Sequence, residues 1–324
     1  MIVKVNDIKW EEKYPIFCSE QFLKTESREY GWICGYIDDR LICFIPFFIY
    51  KKLFFKIARI TCETYFLEKQ YQEKFEQIFL EQSIEIFKQK SIDFIMQPTT
   101  NVVFNKTPKK SISALFASYI IDLTQDEDRL WKNLHGKHRN VIKNSEKKGV
   151  TIQQNDFDLE ELYQMISSTF ERSKMSFMSF KKFQEQINNL QGNVEIFTAK
   201  SNEGVLQGCA IIPYSGYGGY YLHGGSIKSP ITGAMNHLQW NVILRMKMLG
   251  VQQYDFVGAR INPIKGSKLE GIQRFKQRFG ATMHEGYLWK YPIIPWKSKL
   301  FTFIYRLLKK SEGDIIDQER IKLK

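Results

Sequence analysis

Tyr254-Asp255-Phe256-Val257-Gly258-Ala259-Arg260, followed after a gap by Phe275-Lys276-Gln277-Arg278-Phe279-Gly280, is the stretch that decides how this chain folds. A short apolar strand runs into Gly258. A loop broken by Pro263, Gly266 and Gly271 follows. A basic helical turn then carries Lys276 between Phe275 and Phe279 and stops at Gly280, a common helix terminator. A strand end, an open glycine loop and a cation on an aromatic platform make a candidate site for a negatively charged group. Arg260, just past Gly258, is a candidate clamp for phosphate or carboxylate.

Working outward, residues 150–153 read as a strand and residues 159–170 and 180–190 as helices. Residues 194–200, 208–214 and 219–224 read as strands with glycine turns. A helix over 235–249 stops at Gly250, a strand follows at 254–257, and 287–291 closes the sheet. Upstream, residues 31–37 and 41–50 form a hairpin over Asp38-Asp39-Arg40. Phe75, Ile78, Phe79, Ile84 and Phe87 give 68–90 the period of an amphipathic helix. Strands at 93–96 and 118–123 flank a polar, basic loop at 105–111. Thr124-Gln125-Asp126-Glu127 fits a capping box, so one helix is expected from 124 to 148, interrupted at Gly136 and ended by Gly149. The fold class is α/β (α+β), with two mixed units. Expected boundaries are 1–149, including the linking helix 124–148, then 150–291, then a basic amphipathic tail at 292–324 packing on the first unit.

The 324 residues leave room for two domains, and 43% hydrophobic with 15% aromatic content supplies a core. Lys+Arg number 47 against 35 Asp+Glu, a formal net charge of +12. That excess favours nucleic acid, an anionic membrane surface or a phosphorylated substrate, or simply solubility. The five cysteines have no paired metal spacing, and Cys34 and Cys43 lie in apolar runs, which suits a reducing cytosol. The five histidines have no ligand spacing, and no Ser/His/Asp or Cys/His arrangement is evident. The N-terminus has no signal-peptide run. The longest apolar run, 41–50, is half of the about twenty residues a spanning helix needs, so a soluble or peripheral protein is expected.

Three further stretches carry chemistry. Residues 129–148 hold seven Lys/Arg and one acid, with Lys132, Arg139, Lys143 and Lys147 on one stripe and Trp131, His135, His138 and Ile142 on another. Such a stripe binds a phosphate backbone or is a solvated face. In Tyr220-Tyr221-Leu222-His223-Gly224-Gly225-Ser226 the small residues permit close backbone approach, although Tyr221 is also an ordinary core residue. Residues 289–310 have six Lys/Arg and no acid, with Leu300, Phe303, Ile304, Leu307 and Leu308 at helical spacing; this suits an interfacial helix or one docked on the protein's own core.

In order and spacing these motifs resemble the FemABX-like aminoacyltransferases, tandem members of the GNAT acyltransferase superfamily. The run Leu134-x-x-Lys137-x-Arg139-Asn140-x-Ile142 to Lys148-Gly149-Val150 looks like the helix leading into their second domain, and Leu238-Gln239-Trp240 is similar to their following helix. The resemblance implies a pair of GNAT-like domains whose strands splay near 220–226, with the acyl donor in the gap. It implies that Lys276 lies near the reacting carbonyl, where an ammonium stabilises an oxyanion. Arg260, Phe275, Tyr221, His223, Lys137, Arg139 and Lys143 would bind donor or substrate. The implied reaction moves an amino acid from aminoacyl-tRNA to an amine of a muramyl-peptide or lipid-linked peptidoglycan precursor. It would take place in the cytoplasm, peripherally at the inner membrane face, with no cofactor or metal. The loop Lys228-Ser229-Pro230-Ile231-Thr232-Gly233-Ala234 departs from the Gln/Arg-x-x-Gly-x-Gly/Ala pattern of acetyl-CoA-binding GNATs. The alternative is an acyl-CoA-dependent N-acyltransferase acting on an amino sugar or surface-polysaccharide precursor. A non-catalytic RNA- or membrane-binding protein is a third. Asp255 is a general-base candidate by position alone.

Overall fold

The computed structural model describes residues 1–309 and 313–322. In chain order the first part holds β1 (Ile2–Val5), α1 (Glu20–Glu26), β2 (Glu29–Ile37), β3 (Arg40–Lys52), β4 (Phe55–Ile60), β5 (Tyr65–Phe66), α2 (Gln72–Gln89) and β6 (Phe94–Ile95). Their sheet runs β1-β2-β3-β4-β6, with β5 also on β3. The expected hairpin is present: Asp38 and Asp39 both take left-handed φ, 50° and 60°, as a two-residue turn of this kind requires. The apolar face of α2 covers the sheet, burying Phe79, Leu80, Ile84 and Phe87 against Ile33, Ile45 and Phe47.

Next come β7 (Ile112–Asp122), α3 (Glu127–Asn133), α4 (Gly136–Lys147), β8 (Thr151–Gln154), α5 (Leu159–Glu171), α6 (Phe180–Asn189), β9 (Val194–Lys200) and β10 (Leu206–Pro213). The chain continues through β11 (Gly219–Tyr220), β12 (His223–Ser226), α7 (Ala234–Met248), β13 (Gln253–Asp255), α8 (Lys268–Gln277), β14 (Thr282–Lys290), α9 (Pro295–Lys309) and α10 (Ile315–Lys322). The expected mixed α/β architecture forms, as three sheets with flanking helices.

Two expectations are corrected. The helix read over 124–148 is two helices. Its first cap is Asp126, whose carboxylate accepts from the Arg129 N–H; Thr124 instead donates to Asp122. The break falls at Leu134–His135 because the His135 N–H is donated to the carbonyl of Arg278, 2.9 Å away, and not to the preceding turn. The strand read over 219–224 is also two: β11 pairs with β13, whereas β12 pairs with β10. The chain crosses from one sheet, β11-β13-β7-β14, to the other, β12-β10-β9-β8, at Tyr221–Leu222. β7, which precedes Gly149, is hydrogen-bonded to β13 and β14, which follow it.

In the tail, Phe301 of α9 is buried against Phe55 and Phe94 of the first sheet, and Ile316 of α10 against Phe116 and Leu288. The expected stripe divides: Leu300 and Ile304 pack inward, whereas Phe303 and Leu307 are exposed. The side chain of Leu308 lies outside the described residues, as does Lys310.

Candidate active site

The site grows from the end of β13, where the two sheets part. Asp255 pairs across to Tyr220, and its carbonyl accepts from the Tyr221 N–H at 2.9 Å. Its buried carboxylate turns back on the chain, accepting from the Val257 N–H at 2.7 Å and from the Ser118 hydroxyl of β7. This closes an Asx turn. It holds Val257 at φ 43° and Gly258 at φ 67°. A β-branched residue at positive φ is strained, and such strain gathers at functional sites. What the strain secures is visible next. The carbonyls of Val257 and Gly258 converge, and both accept from the Lys276 ammonium of α8, the latter at 2.6 Å.

Lys276 is therefore a buried cation on a backbone cradle, not a surface lysine. An ammonium has three donors, so these bonds leave one over. Burial pushes Lys276 down to about 8, opposed by the charge of Asp255. Burial also pushes Asp255 up to about 6, against the hydrogen bonds from Ser118 and Val257 and the charge of Lys276. Glu63, on the link between β4 and β5, lies near enough to feel Asp255. Burial, with that charge adding to it, raises Glu63 to about 7.

Phe275 sits beside Lys276 on α8, packed against Phe279 and His138 at ring distances of 5.1 and 5.4 Å. His138 Nε2 lies 3.1 Å from the carbonyl oxygen of Phe275, which fixes Nε2 as the donor. Burial drives His138 down to about 4, so it is neutral at neutral pH. Linker helix α4 is thus bolted to the helix that carries Lys276.

Outside this bolt, a surface depression of about 530 Å³ is lined by Lys137, Arg274 and Arg278, together with Phe275, Asn236 and Ser267. The other expected residues divide. Tyr221 lies at the sheet crossing and leans over Gly224, where any side chain would run into its hydroxyl. His223 is held by Gln186 at 2.8 Å and packed on Phe177 and Phe183; burial lowers it to about 4, so it carries no charge at neutral pH. Lys143 is exposed, with its ammonium 5.8 Å from the centroid of the Trp131 ring.

Two of the expected residues have their guanidinium groups engaged within the chain. Arg139 donates to the carbonyls of Trp131, Lys132 and Leu134, closing the C-terminal end of α3. Arg260 is ion-paired with Glu319 and bonded to Gln318 of α10 at 2.8 Å. Sequence reading missed Ser118, Glu63, Arg274 and Arg278. Of these, only the two arginines carried a signal, flanking Lys276 on its own helix.

At the N-terminus of α7, Gly233 has φ 92°, and a side chain there would meet the carbonyl of Val141 in α4. α4 thus packs closely on Gly233, while Asn236 in the first turn of α7 remains in the wall of the depression.

With this geometry in hand, comparisons with known proteins are informative. The FemAB family model matches residues 107–205. The lipid II:glycine glycyltransferase of Staphylococcus aureus (strain USA300) is 27% identical over 139 residues, 40% of this chain and 33% of that protein. The matched segment spans about a third of the length of these curated relatives. FemX aligns with a TM-score of 0.65 at 16% identity, over 88% of this chain and 94% of its own. L-PGS from Bacillus licheniformis aligns at 0.52 and 16%, over 87% and 90%. Residues 107–205 thus match the FemAB family model, and the fold is similar to that of FemX, in line with the FemABX-like resemblance read from the motifs.

Proposed function

We propose that this protein is an aminoacyltransferase that moves an amino acid from aminoacyl-tRNA to an amine of a lipid-linked muramyl-peptide precursor, at the cytoplasmic face of the membrane. The observation that carries this reading is the buried Lys276 ammonium, held on two backbone carbonyls at the point where the sheets part, with one donor left over. The FemAB match and the glycyltransferase relatives support the same reaction class.

The chemistry follows from the residues. The acceptor amine attacks the ester carbonyl, forming a C–N bond and an oxyanion. Lys276, itself buried on its carbonyl cradle, stabilises that charge, and a fixed donor held out of bulk water is worth more than one in solution. Collapse breaks the ester C–O bond and releases the tRNA ribose hydroxyl. The amine proton passes by way of Glu63, whose raised affinity matches the task near neutral pH, to the departing ribose oxygen. Lys137, Arg274 and Arg278 hold donor phosphates in the depression beside Phe275. The departure of the Lys228–Ala234 loop from the CoA-binding pattern supports a tRNA donor over CoA.

Replacing Lys276 tests this. Lys276→Ala, and Lys276→Met to keep the volume, should cut transfer by about two to three orders of magnitude. Both should leave tRNA retention unchanged in a filter-binding assay. Normal transfer by a folded Lys276→Met protein would overturn the assignment.

A further inference from the structure

The far end of β3 turns through Leu53 and Phe54 alone, since Lys52 pairs directly with Phe55. Leu53 has φ 56°. Glycine enters that region freely at a two-residue turn, whereas a branched apolar residue does so at a cost of about 1–2 kcal/mol. Both side chains are more than half exposed. Local geometry therefore opposes Leu53, and exposure to water opposes both side chains.

Beside the tip lies α9. The Phe54 ring packs on Phe55 at 4.1 Å, and Phe55 on Phe301 of α9 at 5.4 Å. Lys52 reaches over Phe301 and Tyr305, at 5.9 and 5.6 Å. On the opposite face of the helix, Trp296, Phe303 and Leu307 recur at a spacing that lines them along one ridge, each more than half exposed. The charge around this surface has one sign. α9 contains no acid. The nearby carboxylates are already matched: Asp93 with Lys297, Asp314 with Lys290, and Asp317 with Lys290 and Arg306. Lys51, Lys52 and Lys299 remain as an exposed surplus. No helix among the described residues is long and apolar enough to cross a membrane.

We infer that the Leu53–Phe54 turn and the outer ridge of α9 are two apolar elements that dock on an anionic phospholipid bilayer. The apolar side chains sink to the acyl boundary, and the lysines meet the headgroups. An interfacial binder needs that combination of apolar area and positive charge. The proposal takes its motive from the lipid-linked acceptor above, but it is tested apart from it. Vesicles free of any precursor report the surface alone, and transfer to a soluble muramyl peptide reports the active site alone.

The experiment is co-sedimentation with vesicles of phosphatidylcholine, with or without phosphatidylglycerol. The full chain should bind the anionic vesicles, and less so as salt rises. Leu53→Gly with Phe54→Ser, and separately Phe303→Ser with Leu307→Ser, should each weaken partition by about tenfold. Transfer to a soluble acceptor should be unchanged in both. Failure to bind anionic vesicles, or unchanged binding in either variant, would overturn the surface. So would concentration-dependent self-association through these residues without vesicle binding, which would assign the patch to a second copy of the chain.

Discussion

The two ends of β3 turn in opposite ways. At Asp38–Asp39 the chain uses residues that tolerate left-handed φ and welcome water. At Leu53–Phe54 it puts an exposed apolar pair, with Leu53 in a backbone region that does not favour it. The first turn serves the fold. The second does not, and it carries a binding surface in our account. Val257 repeats the lesson inside the molecule. Its φ of 43° is costly, and the return is a carbonyl aimed at Lys276. Where local rules are broken in this chain, the violation marks a place to look for work done on something else.

That contrast can be tested by removing each violation. The largest effect is expected at Val257. Val257→Gly relieves the backbone and should not reduce thermal stability. It also loosens the carbonyl cradle, and transfer should fall by roughly ten- to a hundredfold, as small misplacements near a reacting centre do. Unchanged transfer would mean the strain there is idle.

The next effect is on pH dependence. The rate should rise as Glu63 loses its proton near 7 and fall as Lys276 loses its own near 8, giving a narrow bell. Glu63→Gln should lower the maximum and remove the limb near 7. The remaining acid limb then belongs to Asp255, near 6. An unaltered profile in Glu63→Gln would exclude it as the proton acceptor.

The smallest effect separates the two turns. Leu53→Gly should raise the melting free energy by about 1 kcal/mol, because glycine is at ease in that region. Asp39→Gly should move it by only a few tenths of a kcal/mol, because aspartate already tolerates the conformation. Equal shifts in a denaturant titration would erase the distinction on which the membrane surface rests.

Much of the fold was legible because its signals are local. The strand at 194–200 was read to the residue, and α5 and α6 to within a residue or two, from apolar period and polar breaks alone. The Asp38–Asp39 turn announced itself by residue type. What escaped depends on partners far along the chain. The helix break at His135 is set by the carbonyl of Arg278, and Ser118 reaches Asp255 across 137 positions. Arg260 looked like an open clamp because Glu319, which holds it, lies on a tail with no visible link to it in sequence. Lys276 was legible as a candidate. Its burial and its carbonyl cradle were not, since periodicity fixes the face of a helix but not what stands opposite.

The central claim is the donor. The most direct measurement is transfer of label to a muramyl-peptide precursor from a charged tRNA pool, beside a parallel reaction with acetyl-CoA. Label from tRNA, abolished by RNase, and none from acetyl-CoA is the expected result. Label from acetyl-CoA alone would contradict it and return the protein to the CoA-dependent class.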